Sequence, residues 1–209
     1  MSARTGAPLL WLVAALVPMV ASQLVRLGQT DAMAWLFWDY AGRLGALAVL
    51  VAIPSARLIA FQREELRVPP WKSTLAIVIG LVLVEYLFDE RLSSAIDAAI
   101  PGTKLGKYPA VQGPLHAFDV VVGLALVAYH EEIVFRRLAR RALQPWLGDG
   151  SLMVLVTSLL FAAYHWWSGI GNITVVFLLG VALMLGYQRL KSLWPIVVAH
   201  YLMDVSAFL

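Results

Sequence analysis

Eight residues in the second half of the chain, His130-Glu131-Glu132-Ile133-Val134-Phe135-Arg136-Arg137, set two adjacent carboxylates and two guanidinium groups inside a long apolar run. The run opens at Ala117, continues through Tyr129 with Asp119 its one charge, and resumes at Leu138 and Ala139. Charges at the depth of a bilayer are expensive and by default mark function. The cluster therefore constrains both the fold and the chemistry, provided that the stretch lies in a membrane.

Composition says that it does. Of 209 residues, 61% are hydrophobic and only 14% charged, against roughly 25% charged in a soluble domain. Several apolar stretches reach spanning length. They are helix-like rather than short and alternating, which favours an all-α polytopic bundle over a barrel. The absence of cysteine removes disulfides, thiol nucleophiles and thiolate metal sites. The net charge of +3 comes from arginines in loops and gives no reason to expect nucleic acid as a partner.

Read in order, the chain predicts about seven membrane spans. Pro8 to Val25 is the first; Arg4 before it and Val20-Ala21-Ser22 within it also resemble a cleavable signal, although a multispan chain commonly retains its first span. Trp35 to Ile59 is the second, interrupted by Arg43, and a basic link with Arg57, Arg63, Arg67 and Lys72 follows. Ser73 to Phe88 is the third. Asp89 to Leu115 reads as a loop with a surface helix around Leu92 to Ile100. Ala117 to Leu143 is the fourth, ended by Pro145 and Gly148-Asp149-Gly150. Leu152 to Trp166, Ile170 to Tyr187 and Trp194 to Phe208 complete the set. One membrane domain, residues 1–209, is expected: three spans and a polar loop over 1–116, and a motif-bearing core over 117–209.

Lysine and arginine placement sets the expected orientation. The link after the second span, Arg137, Arg140 and Arg141 after the fourth, and Arg189 and Lys191 after the sixth all fall on one side. A cytoplasmic N-terminus puts them in the cytoplasm and leaves the more acidic 89–115 loop outside.

Helical spacing divides the cluster. Glu132 and Arg136, four apart, share a face and suit an ion pair. Glu131 points about 100° away. It has no partner on its own helix, except His130 or a group from another span, and suits proton exchange. His165 closes the fifth span, and His200 and Asp204 share one face of the seventh. Each has a bland reading: an interfacial histidine among belt tryptophans, a histidine–aspartate packing pair, two glutamates that only hold arginines. Together, three helices supply buried ionisable groups that should meet inside the bundle. Glu131, His165, His200 and Asp204 then allow water activation with oxyanion stabilisation, or a metal held by imidazoles and carboxylates. The His130-Glu131-Glu132 run lacks the two histidines, four apart, of the common zinc-protease motif, and no serine stands out as a nucleophile.

The ordered set resembles a known family, the CAAX prenyl endopeptidase and bacteriocin-processing (CPBP) intramembrane proteases. Glu131-Glu132-Ile133-Val134-Phe135-Arg136 matches its first motif, Phe161 to His165 its second, and His200 to Asp204, approached by Trp194-Pro195, its last. The resemblance covers about Ala117 to Leu209. It implies a glutamic-type endopeptidase without metal or other cofactor, in which Glu131 with His165 activates water, His200 and Asp204 support the oxyanion, and Glu132 and Arg136 hold the site in shape. One departure stands out: Asp204 occupies a position where asparagine is usual, and an ionised aspartate cannot donate to an oxyanion. That keeps a metal-dependent version open.

The resemblance further implies a membrane-associated protein or peptide as substrate, with a C-terminal transmembrane sorting segment as one candidate, and a bacterial inner-membrane location. Two rivals come from other classes. A transporter would use the same buried groups as a relay but would favour inverted repeats and broken helices, which the sequence lacks. A non-catalytic scaffold would tolerate Glu131→Ala in cells.

Overall fold

The computed structural model describes residues 6–61, 69–88 and 90–208. Arg4, Arg63, Arg67 and Asp89, used in the sequence reading, lie outside them. Regular structure among the described residues is helical, and the one β contact is an isolated bridge between Lys104 and Ser168. Four helical runs are long and apolar enough to cross a membrane: Ala7–Arg26, Ala32–Ala52, Trp71–Ala99 and Ile170–Leu190. The protein is an all-α integral membrane protein.

The first two helices, α1 (Ala7–Arg26) and α2 (Ala32–Ala52), pack as a hairpin. Asp31 caps α2, its carboxylate accepting the Ala34 amide at 2.7 Å. Gly42 allows the close approach, because a Cβ there would stand 1.9 Å from Ser22 Oγ and 3.0 Å from the Pro18 carbonyl. The expected single span Trp35 to Ile59 is corrected: Ile53 turns extended ahead of Pro54, and α3 (Pro54–Ala60) starts afresh. The proline ring disfavours a helical residue before it and suits the first helical position after it.

Next come α4 (Trp71–Phe88) and α5 (Glu90–Ala99); the latter matches the expected surface helix. The cluster lies on a rod formed by α6 (Gly113–Phe118), α7 (Leu124–Glu131) and α8 (Ala139–Leu147), joined through π-helical segments Asp119–Gly123 and Glu132–Leu138. This rod starts before Ala117 and runs past Leu143, with Pro145 inside α8. The proline sits in the last turn, where one lost backbone bond costs least, and the helix stops at Gly148 with φ 65°. Then follow α9 (Ser151–Tyr164), α10 (Ile170–Leu190) and α11 (Trp194–Ser206). α11 packs on α7 and α4, and α10 packs on α9, α5 and α4. The main apolar core joins α1, α2, the rod, α9, α10 and α11.

At one end of the bundle Arg26, Trp35, Tyr108, Trp167 and Phe208 come together. The Leu105 and Gly106 amides donate to the Trp167 carbonyl at 2.9 and 3.1 Å, which binds the 101–112 loop over the α9–α10 connection. At the opposite end Arg137 donates to the Ala60 carbonyl and Gln188 to the Asp149 carbonyl.

Candidate active site

Glu131 is the last residue of α7 and Glu132 the first of the π segment, so successive carboxylates leave the rod on different sides. Both are buried. Glu132 Oε2 lies 3.0 Å from Arg136 Nε, the pair expected from spacing. The Arg136 guanidinium also covers the Phe161 ring at 4.2 Å, which ties the first motif to the second. The other oxygen, Glu132 Oε1, accepts from His200 Nδ1 at 2.7 Å.

His200 stands on α11, one turn before Asp204, and its ring passes between carboxylates. Nδ1 is committed to Glu132, while Nε2 lies 3.6 Å from Asp204 Oδ1 and 3.9 Å from Glu131 Oε2. Asp204 is two residues from the end of α11 and its side chain is 25% exposed, so this side of the site reaches the edge of the bundle. His165 follows the C-terminus of α9. Its Nδ1 donates to the Phe161 carbonyl at 2.9 Å, which fixes the tautomer and leaves Nε2 as the acceptor of the neutral ring. The ring packs edge-on against Phe161 and Tyr164, and it lies within electrostatic range of Glu131 and His200.

The sequence-derived residues are thus brought to one place: Glu131, Glu132 and Arg136 from the rod, His165 from α9, His200 and Asp204 from α11. One partner was missed. Glu131 Oε1 accepts from Arg43 Nη1 at 2.6 Å, across from α2. Arg43 in turn bonds Asp39, from Nε to Oδ2 at 2.9 Å and from Nη2 to Oδ1 at 3.3 Å, and Asp39 also accepts from Arg26. The sequence carried a signal in the four-residue spacing of Asp39 and Arg43 within an apolar span. Glu131 Oε2, by contrast, is buried without a hydrogen-bond partner.

As a chemical assembly, this is a carboxylate oxygen facing an imidazole nitrogen, with a second imidazole and a partly buried carboxyl nearby. Three arginines balance the carboxylates of Asp39, Glu131 and Glu132, as low dielectric requires. A metal would need three converging ligands. Among the described residues no three His, Asp or Glu side chains form such a set, and His165 and His200 each have Nδ1 committed elsewhere.

Comparison with known proteins gives one finding. The family model described as type II CAAX prenyl endopeptidase Rce1-like matches residues 113–206. No curated protein and no solved structure matches the chain. The matched segment contains the rod with Glu131, Glu132 and Arg136, the end of α9 with His165, and α11 with His200 and Asp204. Through residues 113–206, a little under half of its length, the chain is similar to the Rce1-like type II CAAX prenyl endopeptidases.

Proposed function

We propose that the protein is a glutamic-type intramembrane endopeptidase, one membrane domain over 1–209 with its catalytic core in 117–209. The observation that carries this reading is the free oxygen of Glu131: buried, unpartnered, and 3.9 Å from His200 Nε2 while its twin oxygen is held. A water between them and a substrate carbonyl would give its proton to Glu131 Oε2, with His165 Nε2 assisting, as its oxygen bonds to the carbonyl carbon. The carbonyl electron pair moves onto oxygen, where doubly protonated His200 donates through Nε2. Asp204, as the neutral acid, adds a second donor. The C–N bond then breaks, and the proton held by Glu131 leaves with the amine. Glu132 and Arg136 hold His200 and the rod rather than touching substrate.

The site's position supports one substrate class. Asp204 and His165 lie near helix ends, so a peptide at the membrane edge reaches them without crossing the bundle. The basic groups Arg57, Arg137, Arg140, Arg141, Arg189 and Lys191 belong to the opposite end. With that end cytoplasmic and the N-terminus inside, the site serves the outer half of a bacterial inner membrane and a membrane-anchored protein cut beside its anchor, such as one with a C-terminal sorting segment.

The test is cleavage of membrane-anchored peptides by purified protein in liposomes, with Glu131→Gln as the control. Cleavage lost in Glu131→Gln supports the reading. Cleavage that persists in Glu131→Gln, or ion flux without cleavage by the wild type, overturns it.

A further inference from the structure

Arg43 takes part in no step above, and it lies seventy residues before the segment that carries the family match. Its guanidinium is nevertheless the only group that touches Glu131 within 3 Å among the hydrogen bonds of the described residues. A guanidinium offers a rigid planar fork. Here two of its nitrogens grip both oxygens of Asp39, at 2.9 and 3.3 Å, which fixes the plane, and the third reaches Glu131 Oε1 at 2.6 Å. Asp39 is itself held from behind by Arg26, whose guanidinium is flanked by Trp35 at 4.3 Å and Trp167 at 4.7 Å. Every member of this ladder is buried. Its last link is to one carboxylate oxygen, so the rotation of the Glu131 carboxylate is set from α2.

We infer that Arg43, clamped by Asp39 and backed by Arg26, is the positioning residue that commits Glu131 Oε1 and turns Oε2 toward His200 and Asp204, so that the α1–α2 hairpin completes a site whose other residues lie in the matched segment. The inference rests on reading Glu131 as the proton acceptor. The bland alternative is that Arg43 only neutralises a buried carboxylate and so serves folding. The two differ for a lysine, which keeps the charge but loses the fork. Neutralisation alone survives Arg43→Lys; positioning does not. Misplacing a reacting group by about 1 Å costs about 100-fold in rate.

The experiment measures kcat, KM and thermal unfolding of full-length protein in liposomes with a cleaved membrane-anchored peptide. Expected for Arg43→Lys is a roughly 100-fold fall in kcat at unchanged KM in a protein that still unfolds cooperatively. Asp39→Asn, which leaves Arg43 and Glu131 in place, carries the test if the lysine variant does not fold; it should lower kcat about tenfold, again at unchanged KM, since the fork loses its clamp. Wild-type kcat in the folded lysine variant, or in Asp39→Asn where the lysine variant fails to fold, overturns the inference. The Glu131→Gln control separates the two readings. If it keeps activity, the assignment of Glu131 fails; if it is dead while Arg43→Lys is fully active, only the positioning role fails.

Discussion

His200 Nδ1 lies 2.7 Å from Glu132 Oε1, so the carboxylate that pairs with Arg136 on its own helix also fixes the imidazole of α11. Glu131 and Glu132 therefore have separable parts. Glu131→Gln should abolish turnover at a smaller cost in stability than Glu132→Gln, because Arg43 keeps both oxygens of Asp39 when it loses the Glu131 charge. Glu132→Gln strands Arg136 in the core and weakens the His200 link, at a cost of about 3–5 kcal/mol for breaking a buried pair. Thermal unfolding and turnover of both variants check this; a folded but dead Glu132→Gln beside an unfolded Glu131→Gln would reverse the assignment.

Asp204→Asn should stay within about one order of magnitude of wild-type turnover, because a neutral amide can donate where the carboxylate lies 3.6 Å from His200 Nε2. Steady-state kinetics read it. A dead variant would mean that the carboxylate itself is needed, to orient His200 or to bind a metal.

Chelation should leave turnover unchanged. With His200 Nδ1 donating to Glu132 and His165 Nδ1 to Phe161, only the two Nε2 atoms remain, and recruiting Glu131 as a third ligand would consume the proposed base. Activity after chelator treatment, with elemental analysis of the purified protein, decides it. Loss on chelation with restoration by one stoichiometric metal would overturn the glutamic mechanism.

Gly42→Ala should destabilise the protein by about 1–3 kcal/mol, the usual cost of overpacking, because its Cβ would collide with Ser22 and the Pro18 carbonyl. Gly80→Ala, with nothing within 4 Å of the new carbon, is the matched control and should be neutral or stabilising by up to about 1 kcal/mol. Thermal melts compare the two.

The Arg140–Asp149 pair gives a pH signature at the basic end. Partial burial raises the Asp149 carboxyl, but hydrogen bonds from Arg140 at 2.9 and 3.0 Å, with Gln144 assisting, outweigh it and hold the group below its ordinary range. A depressed carboxyl stabilises the fold above its unfolded value and loses that contribution as pH falls through the folded value. Asp149 is 40% exposed, so the effect is small, under about 1 kcal/mol. Asp149→Asn should melt slightly earlier than wild type at pH 7 and together with it once the pH has fallen below the depressed folded value of Asp149.

What was legible in the sequence is what a single helix encodes. Spacing of four revealed Glu132 with Arg136 and His200 with Asp204, and Ile53-Pro54 held the signal of the break after α2. Pro145 misled, because a proline in a final turn does not stop a helix that has nearly ended. Relations between helices were not legible. Glu131 meets Arg43 across 88 positions of chain, and His200 meets Glu132 across 68. No period in the sequence encodes such distances; three-dimensional packing alone selects the partner. The π-helical segments were hidden for a related reason, since nothing in Glu132-Ile133-Val134-Phe135-Arg136-Arg137-Leu138 differs in propensity from an ordinary helix.

The ladder from Arg26 to Glu131 also bears on the order in which the chain is made. Synthesis delivers α1 and α2 first, carrying two cations and one anion. The carboxylate that completes the balance is emitted 88 residues after Arg43. Until then the nascent hairpin holds an excess positive charge at bilayer depth, which is costly, and Arg43 must reach for headgroups or water. Arrival of the rod removes that cost in one step. Charge balance in the hairpin and the docking of Glu131 are thereby coupled, which makes the first two helices and the rod electrostatically dependent on each other.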